Sequence, residues 1–192
     1  MKAIMISIKP KWVAKILNGE KTIEIRKTIP QEYLDYCIDS DKKVPIDVYI
    51  YCTKEDSLIK LKSGYVKDKY VCEQDFKIDD FPKMYSGYDG KGKVVAKFTL
   101  NKIDSGFIQQ MQYEEKLDKV LQDSCLTFDD LWEYHENNML YMWHIDNLEI
   151  FDKPKELSEF KHIRTFEPKT MNRIINWRMT RAPQSWCYIE VK

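Results

Sequence analysis

From Ser7 to Lys27 the chain reads SIKPKWVAKILNGEKTIEIRK, and its punctuation leaves little conformational freedom. Pro10 follows a short apolar run and fits the first turn of a helix, where a missing N–H costs nothing. Trp12, Val13, Ile16 and Leu17 recur at helical spacing and make one apolar face. Asn18-Gly19 stops that helix, because glycine takes the left-handed conformation at a helix end cheaply. Beyond it, Thr22 to Arg26 alternates. Ile23 and Ile25 share one face and Thr22, Glu24 and Arg26 the other, which predicts a half-buried strand. Since Ala3 to Ile8 is itself short, apolar and strand-like, strand, helix, turn and strand must follow in quick succession.

Further strands are expected at Ile46–Thr53, rich in β-branched and aromatic residues, and at Lys93–Leu100, after the turn Asp89-Gly-Lys-Gly92. Leu140–Phe151 and Ser185–Val191 have the same composition. Met111–Gln122 and Thr127–Glu136 have helical spacing, and Thr127 with Asp129 and Asp130 suits a helix start. Pro154 is suited to opening a short helical turn, and Asn172–Met179 reads either way. The strands lie at unequal spacing without a βαβ rhythm. This predicts an α+β chain built on a mostly antiparallel β-barrel with peripheral helices. The 192 residues are expected to form a single domain, with insertions near 54–88 and 105–138.

Lysine plus arginine and aspartate plus glutamate number 31 each, so the net charge is zero and no global field draws in nucleic acid or membrane. The zero hides a polarised layout. Met111–Asn137 holds eight acids and two lysines, and Lys161–Arg181 holds six basic residues and one glutamate. A basic face therefore remains compatible with the neutral total. The five cysteines are odd in number and widely spaced, which argues against a disulfide framework and a cysteine-rich zinc site. Cys52 and Cys187 sit in apolar runs and read as core residues. With no leader-like start and no run near the ~20 apolar residues of a membrane span, a cytoplasmic protein without membrane contact is expected.

Lys21, Glu24 and Arg26 are the first candidates for chemistry. Glu24 and Arg26 are two apart on a strand and share a face. A lysine beside another cation in a partly desolvated site is one way a base is made, whereas an exposed Glu–Arg pair on a strand contributes little. No metal site is indicated, because His135, His144 and His162 lack ligand spacing, and no cofactor is implied. His135 is expected on an exposed helix, and His144 reads as a structural histidine. Basic residues alternate with aromatics at Lys60, Lys62, Tyr65, Lys67, Lys69 and Tyr70. They do so again where Arg173, Arg178 and Arg181 flank Trp177 ahead of Trp186 and Tyr188. Such pairings hold single-stranded nucleic acid, although burial is the commoner fate of a tryptophan such as Trp177 or Trp186.

The arrangement Gly19-x-Lys21-x-x-Glu24-x-Arg26, behind a proline-started helix, resembles the signature of the ASCH domain, a relative of the RNA-binding PUA domain. The strand Gly92–Leu100 and the segments Trp143–Leu157 and Ala182–Tyr188 resemble a bacterial and phage branch of that family. The resemblance implies a PUA-like barrel, a cleft lined by the Lys–Glu–Arg motif, and a substrate related to RNA or nucleotides. One branch resembles an amidohydrolase of N4-acetylcytidine that uses a lysine, a threonine and a glutamate. Lys21 stands at the matching lysine, but Glu24 stands where that branch has threonine, and a carboxylate does not replace an activated hydroxyl.

The expected function is binding of RNA or a modified nucleotide around Lys21, Glu24 and Arg26, with Lys9 and Trp186 on the rim. An alternative is a hydrolase of an acylated nucleoside or of RNA, with Lys21 as base and Glu24 as a second catalytic residue. A third reading is a protein-interaction adaptor that offers the acidic region Met111–Asn137 to a basic partner.

Overall fold

The computed structural model describes residues 1–31, 33, 45–54, 90, 92–163 and 177–191. The chain divides into two compact units. The first comprises Met1–Asn18, Asp47–Phe98 and Leu148–Lys192, and the second Gly19–Ile46 and Thr99–Asn147.

The first unit carries a seven-stranded sheet. Its elements in chain order are β1 (Lys2–Ile8), α1 (Pro10–Leu17), β3 (Ile46–Cys52), β4 (Lys93–Leu100), β7 (Asp146–Glu156), β8 (Lys161–His162), β9 (Trp177–Arg178) and β10 (Trp186–Glu190). The spatial order is β7-β4-β3-β1-β10-β8-β9. β1 lies between β3 and β10, and its residues 3–8 are buried, so it reads as a continuous apolar run rather than an alternating one. Its pairing with β10 is antiparallel, Ile4 opposite Tyr188. Its pairing with β3 is parallel, Ile4 opposite Val48, a parallel pair in a sheet expected to be mostly antiparallel. Ala3, Met5, Tyr49, Tyr51, Val94, Phe151, Phe160, Met179 and Ile189 form the core of this unit.

The second unit holds a three-stranded sheet in the order β2-β6-β5, formed by β2 (Ile23–Arg26), β5 (Ile103–Gly106) and β6 (Leu140–His144). Among the described residues, three short helices, α2 (Ile108–Tyr113), α3 (Leu117–Ser124) and α4 (Phe128–His135), accompany it. Both strand pairings are antiparallel, and Ile23, Ile25 and Met142 share one face by register. Ile108, Met111, Leu117, Leu131 and Leu140 join those three side chains in the core.

Several expectations change. Met111–Gln122 is not one helix, because Glu115 adopts a φ of 55° and the chain closes α2 there. The N–H of Lys116 returns to the carbonyl of Met111 and that of Glu115 to Gln112, the hydrogen bonding of a left-handed helix end. Leu140–Phe151 splits into β6 and β7, which belong to different sheets, and Asn147, near the start of β7, adopts a φ of 48°. Pro154 lies inside β7 and opens no helix; a 3₁₀ turn follows at Leu157–Glu159. β2 is buried along its whole length rather than on one face. Among the described residues the strands form two sheets with end strands rather than a closed ring. The mixed α+β class stands. Among the same residues no helix is long and apolar enough to cross a membrane.

Candidate functional site

Gly19 takes a φ of 74°, the conformation that releases the chain from α1 and that a side chain at this position would resist. The next residues are tied on two sides. The Thr22 N–H donates to the Asp123 carbonyl at 2.8 Å, and the Thr22 carbonyl accepts from the Ile145 N–H at 2.9 Å. This fixes the start of β2 against the C-terminal end of α3 and the end of β6.

Lys21 turns its ammonium onto that helix end. Its Nζ donates to the Ser124 carbonyl at 2.8 Å, a favourable place for a cation because the last carbonyls of a helix carry its negative pole. The same Nζ stands 3.3 Å from Glu24 Oε2. The other carboxylate oxygen of Glu24, Oε1, stands 3.0 Å from a terminal nitrogen of Arg26. The three side chains thus form one continuous row, Lys21–Glu24–Arg26, with the carboxylate shared between two cations.

The row is buried, with Lys21 3%, Glu24 8% and Arg26 8% exposed. In the register of β2 and β6, Glu24 lies opposite Trp143 and Arg26 opposite Tyr141, so both share a face with an aromatic ring. Trp143 is fully buried. An apolar ring beside the carboxylate keeps the local dielectric low and strengthens its interaction with both cations. It also raises the cost of leaving any of the three unpaired.

Two residues that the sequence left unremarked stand beside this row. Burial pushes the Tyr134 phenol above its ordinary value; Arg26 and Lys27 pull it down, and Glu24 and Glu136 push it up. Tyr134 therefore sits in the field of the row. Lys27 Nζ lies 4.9 Å from the Tyr134 ring centre and 2.7 Å from Glu136 Oε2, and the hydrogen bond from Lys27 holds the Glu136 carboxyl below its usual range. Lys27 could have been suspected from its place next to Arg26. Tyr134 has no comparable signal, since it stands more than a hundred positions along the chain.

A second polar group occupies the other face of the same sheet. A cavity of about 480 Å³ is lined by Ile23, Met142, Lys102, Asp104 and His144, among others. His144 Nε2 and Asp104 Oδ2 are 2.7 Å apart, and Lys102 Nζ reaches the same oxygen at 2.7 Å. Burial works against the charge on Asp104, yet the hydrogen bonds from Lys102 and His144 outweigh it and hold the carboxyl below its ordinary range. The other lysines of this cavity have carboxylate partners too, Lys116 with Glu114 and Lys119 with Asp123. His144 is thus a satisfied histidine, as its strand context suggests.

Of the residues singled out by sequence, Lys21, Glu24 and Arg26 come together. Lys9 and Trp186 belong to the first unit. Lys9 is an exposed residue preceding α1, and Trp186 is a half-buried residue of β10, 5.4 Å ring to ring from Tyr188. His135 is on α4 as expected but is 3% exposed, with Nδ1 against the Trp132 carbonyl and its ring under Trp132. Trp177 is exposed rather than buried. Cys52 is buried and Cys187 partly so. Lys60, Lys62, Tyr65, Lys67, Lys69, Tyr70 and Arg173 lie outside the described residues. Among the described residues no group of three metal-ligating side chains is gathered.

The fold has counterparts among solved structures. A single-substitution mutant of the ASCH protein from Zymomonas mobilis aligns with 99% of this chain and 91% of its own, at 17% identity and a TM-score of 0.51. The unsubstituted ASCH protein from the same organism aligns with 98% of this chain and 87% of its own, at 16% identity and a TM-score of 0.50. No family model and no curated protein matches the sequence. The likeness is one of fold: this chain folds like an ASCH protein, in agreement with the motif at Gly19–Arg26.

Proposed function

We propose that this chain is a PUA-like, ASCH-type module that binds RNA or a modified nucleotide in a cleft built around Lys21, Glu24 and Arg26. The observation that carries the reading is the burial of the row. Three ionised side chains out of water cost more in desolvation than a well-packed apolar set, so a buried ion-pair row is a poor device for stability. Its use is better sought in what its charges do. Two cations share one carboxylate beside aromatic rings in a low-dielectric place. A single phosphate, or the carbonyl edge of a base, suits a row in which cations outnumber carboxylates. Lys21 and Arg26 meet the phosphate or carbonyl. Glu24 orients both cations and accepts a hydrogen bond from a base amino group.

The test compares the native chain with Lys21→Met/Glu24→Leu/Arg26→Met, which removes the row without stranding a charge. Short RNAs and nucleosides, N4-acetylcytidine included, are titrated at several salt concentrations, and the mixtures are read by mass spectrometry for turnover. The reading expects RNA binding that weakens with salt and is lost in the variant, whose near-UV circular dichroism stays native-like. Equal binding by the variant removes the row from the site. Consumption of N4-acetylcytidine by the native chain alone makes it a hydrolase and ends the binding-only reading.

A further inference from the structure

The end strand of the seven-stranded sheet carries a constellation that the row does not use. β9 is only two residues long and pairs with β8, placing His162 opposite Trp177 and Lys161 opposite Arg178. Just beyond it, the Met179 N–H donates to the Phe160 carbonyl at 2.9 Å, and the Met179 side chain enters the core of the first unit. This short edge is therefore anchored at its base. A cavity of about 400 Å³ opens on it, lined by His162, Trp177, Arg178, Met179, Thr180 and Arg181.

Trp177 is 61% exposed, whereas Trp143 is fully buried. A large flat apolar face left in water beside an anchored strand is the informative kind of exposure, because the same ring would gain by burial elsewhere. Its neighbours decide what it suits. Among the described residues, the lining brings two guanidiniums, an imidazole and a hydroxyl, and no carboxylate. The arginines stay charged at any working pH. The cavity thus combines a stacking surface with two guanidiniums and, among its described residues, no carboxylate.

We propose that Trp177, Arg178 and Arg181 form a platform for one nucleotide of a single-stranded nucleic acid. The base stacks on the indole, a contact open to every base because each has a π-face. The guanidiniums take the adjoining phosphate in fork geometry. Thr180 and His162 supply hydrogen bonds to the sugar or the base edge. An acidic peptide would satisfy the arginines but leave the indole unmatched, so charge and shape together favour the nucleotide. The proposal rests on the nucleic-acid reading given above, but it uses different residues.

Labelled single-stranded oligouridine is the probe, titrated by fluorescence anisotropy against the full chain. Trp177→Ala is expected to weaken binding by about 5- to 150-fold, the loss of one stacked base, and Trp177→Phe to restore most of it. Arg178→Gln/Arg181→Gln is expected to flatten the plot of log affinity against log salt by about 0.7, the value for one phosphate contact on a single strand. Unchanged affinity in Trp177→Ala together with an unchanged slope in the arginine pair overturns the platform. So does binding of an oligoglutamate peptide in place of RNA. The Lys21→Met/Glu24→Leu/Arg26→Met variant runs in parallel. If it alone loses RNA, the platform falls and the row stands; if only the platform variants lose it, the row falls and the platform stands.

Discussion

Glu24→Gln should be the most damaging conservative change in the second unit. The amide keeps the size and shape of the carboxylate but removes the one negative charge between Lys21 at 3.3 Å and Arg26 at 3.0 Å. With an effective dielectric of about 20, Coulomb's law gives roughly 5 kcal/mol for each contact before desolvation is counted. Lys21 keeps the Ser124 carbonyl, which limits its loss. The net cost expected for stranding charge in a buried pair is about 3–5 kcal/mol, a large part of a total stability of about 5–15 kcal/mol. Urea unfolding measures it. At an m-value of about 2 kcal/mol/M, the midpoint should fall by about 1.5–2.5 M with the slope unchanged. The triple apolar variant should instead keep or raise the midpoint, by about 1–4 kcal/mol in stability. A midpoint for Glu24→Gln indistinguishable from the native one would refute the claim that the row is electrically coupled. A collapse of the triple variant would show that the row is structural, and the argument from burial to function would fail with it.

Two further outcomes follow from local geometry. Thr127 caps α4: its Oγ1 accepts from the Asp130 N–H at 3.1 Å, while the Asp130 carboxylate accepts from the Thr127 N–H at 3.0 Å. Thr127→Ala should cost about 1 kcal/mol and lower the thermal midpoint by about 2–4 °C in a chain of this size; an unchanged melt would show that the cap contributes nothing. Burial pushes the Cys187 thiol up to about 12, and the thiolate is the reactive form. Iodoacetamide at pH 8 should therefore leave Cys187 unmodified in the native chain and modify it after unfolding, as peptide mass mapping would show. Prompt native modification would contradict the burial.

Where the fold was legible in the sequence, the signal was punctuation. Pro10 and Gly19 bracket α1, Gly92 precedes β4, and Thr127 caps α4. Where it was not, the punctuation was unconventional. α2 ends with Glu115 in the left-handed conformation, α3 with Cys125 and α4 with Glu136, none of them the glycine that usually marks such an end. Composition carries no trace of those three stops, so α2 and α3 read as one helix. The split of Leu140–Phe151 is of the same kind, since Asn147, near the start of β7, also adopts a positive φ without being glycine. The parallel pairing of β1 with β3 is hidden for another reason. A strand buried on both faces reads alike whichever direction its neighbours run.

The site divides along the same line. That Glu24 and Arg26 share a face follows from the period of a strand, and Lys21 from its place just before it. Their burial does not follow. It depends on Trp143 and Tyr141 across the sheet and on the carbonyl of Ser124 at the end of α3, all supplied from Thr99–Asn147 by pairings that no local pattern encodes. Burial is the property that separates the two readings of the motif. An exposed Lys–Glu–Arg set on a strand would contribute within about 1 kcal/mol and would need no explanation. The same set at 3–8% exposure carries a desolvation cost that its own ion pairs offset only in part. Trp177 is the reverse case, a residue whose type predicts burial and whose exposure is what makes it informative.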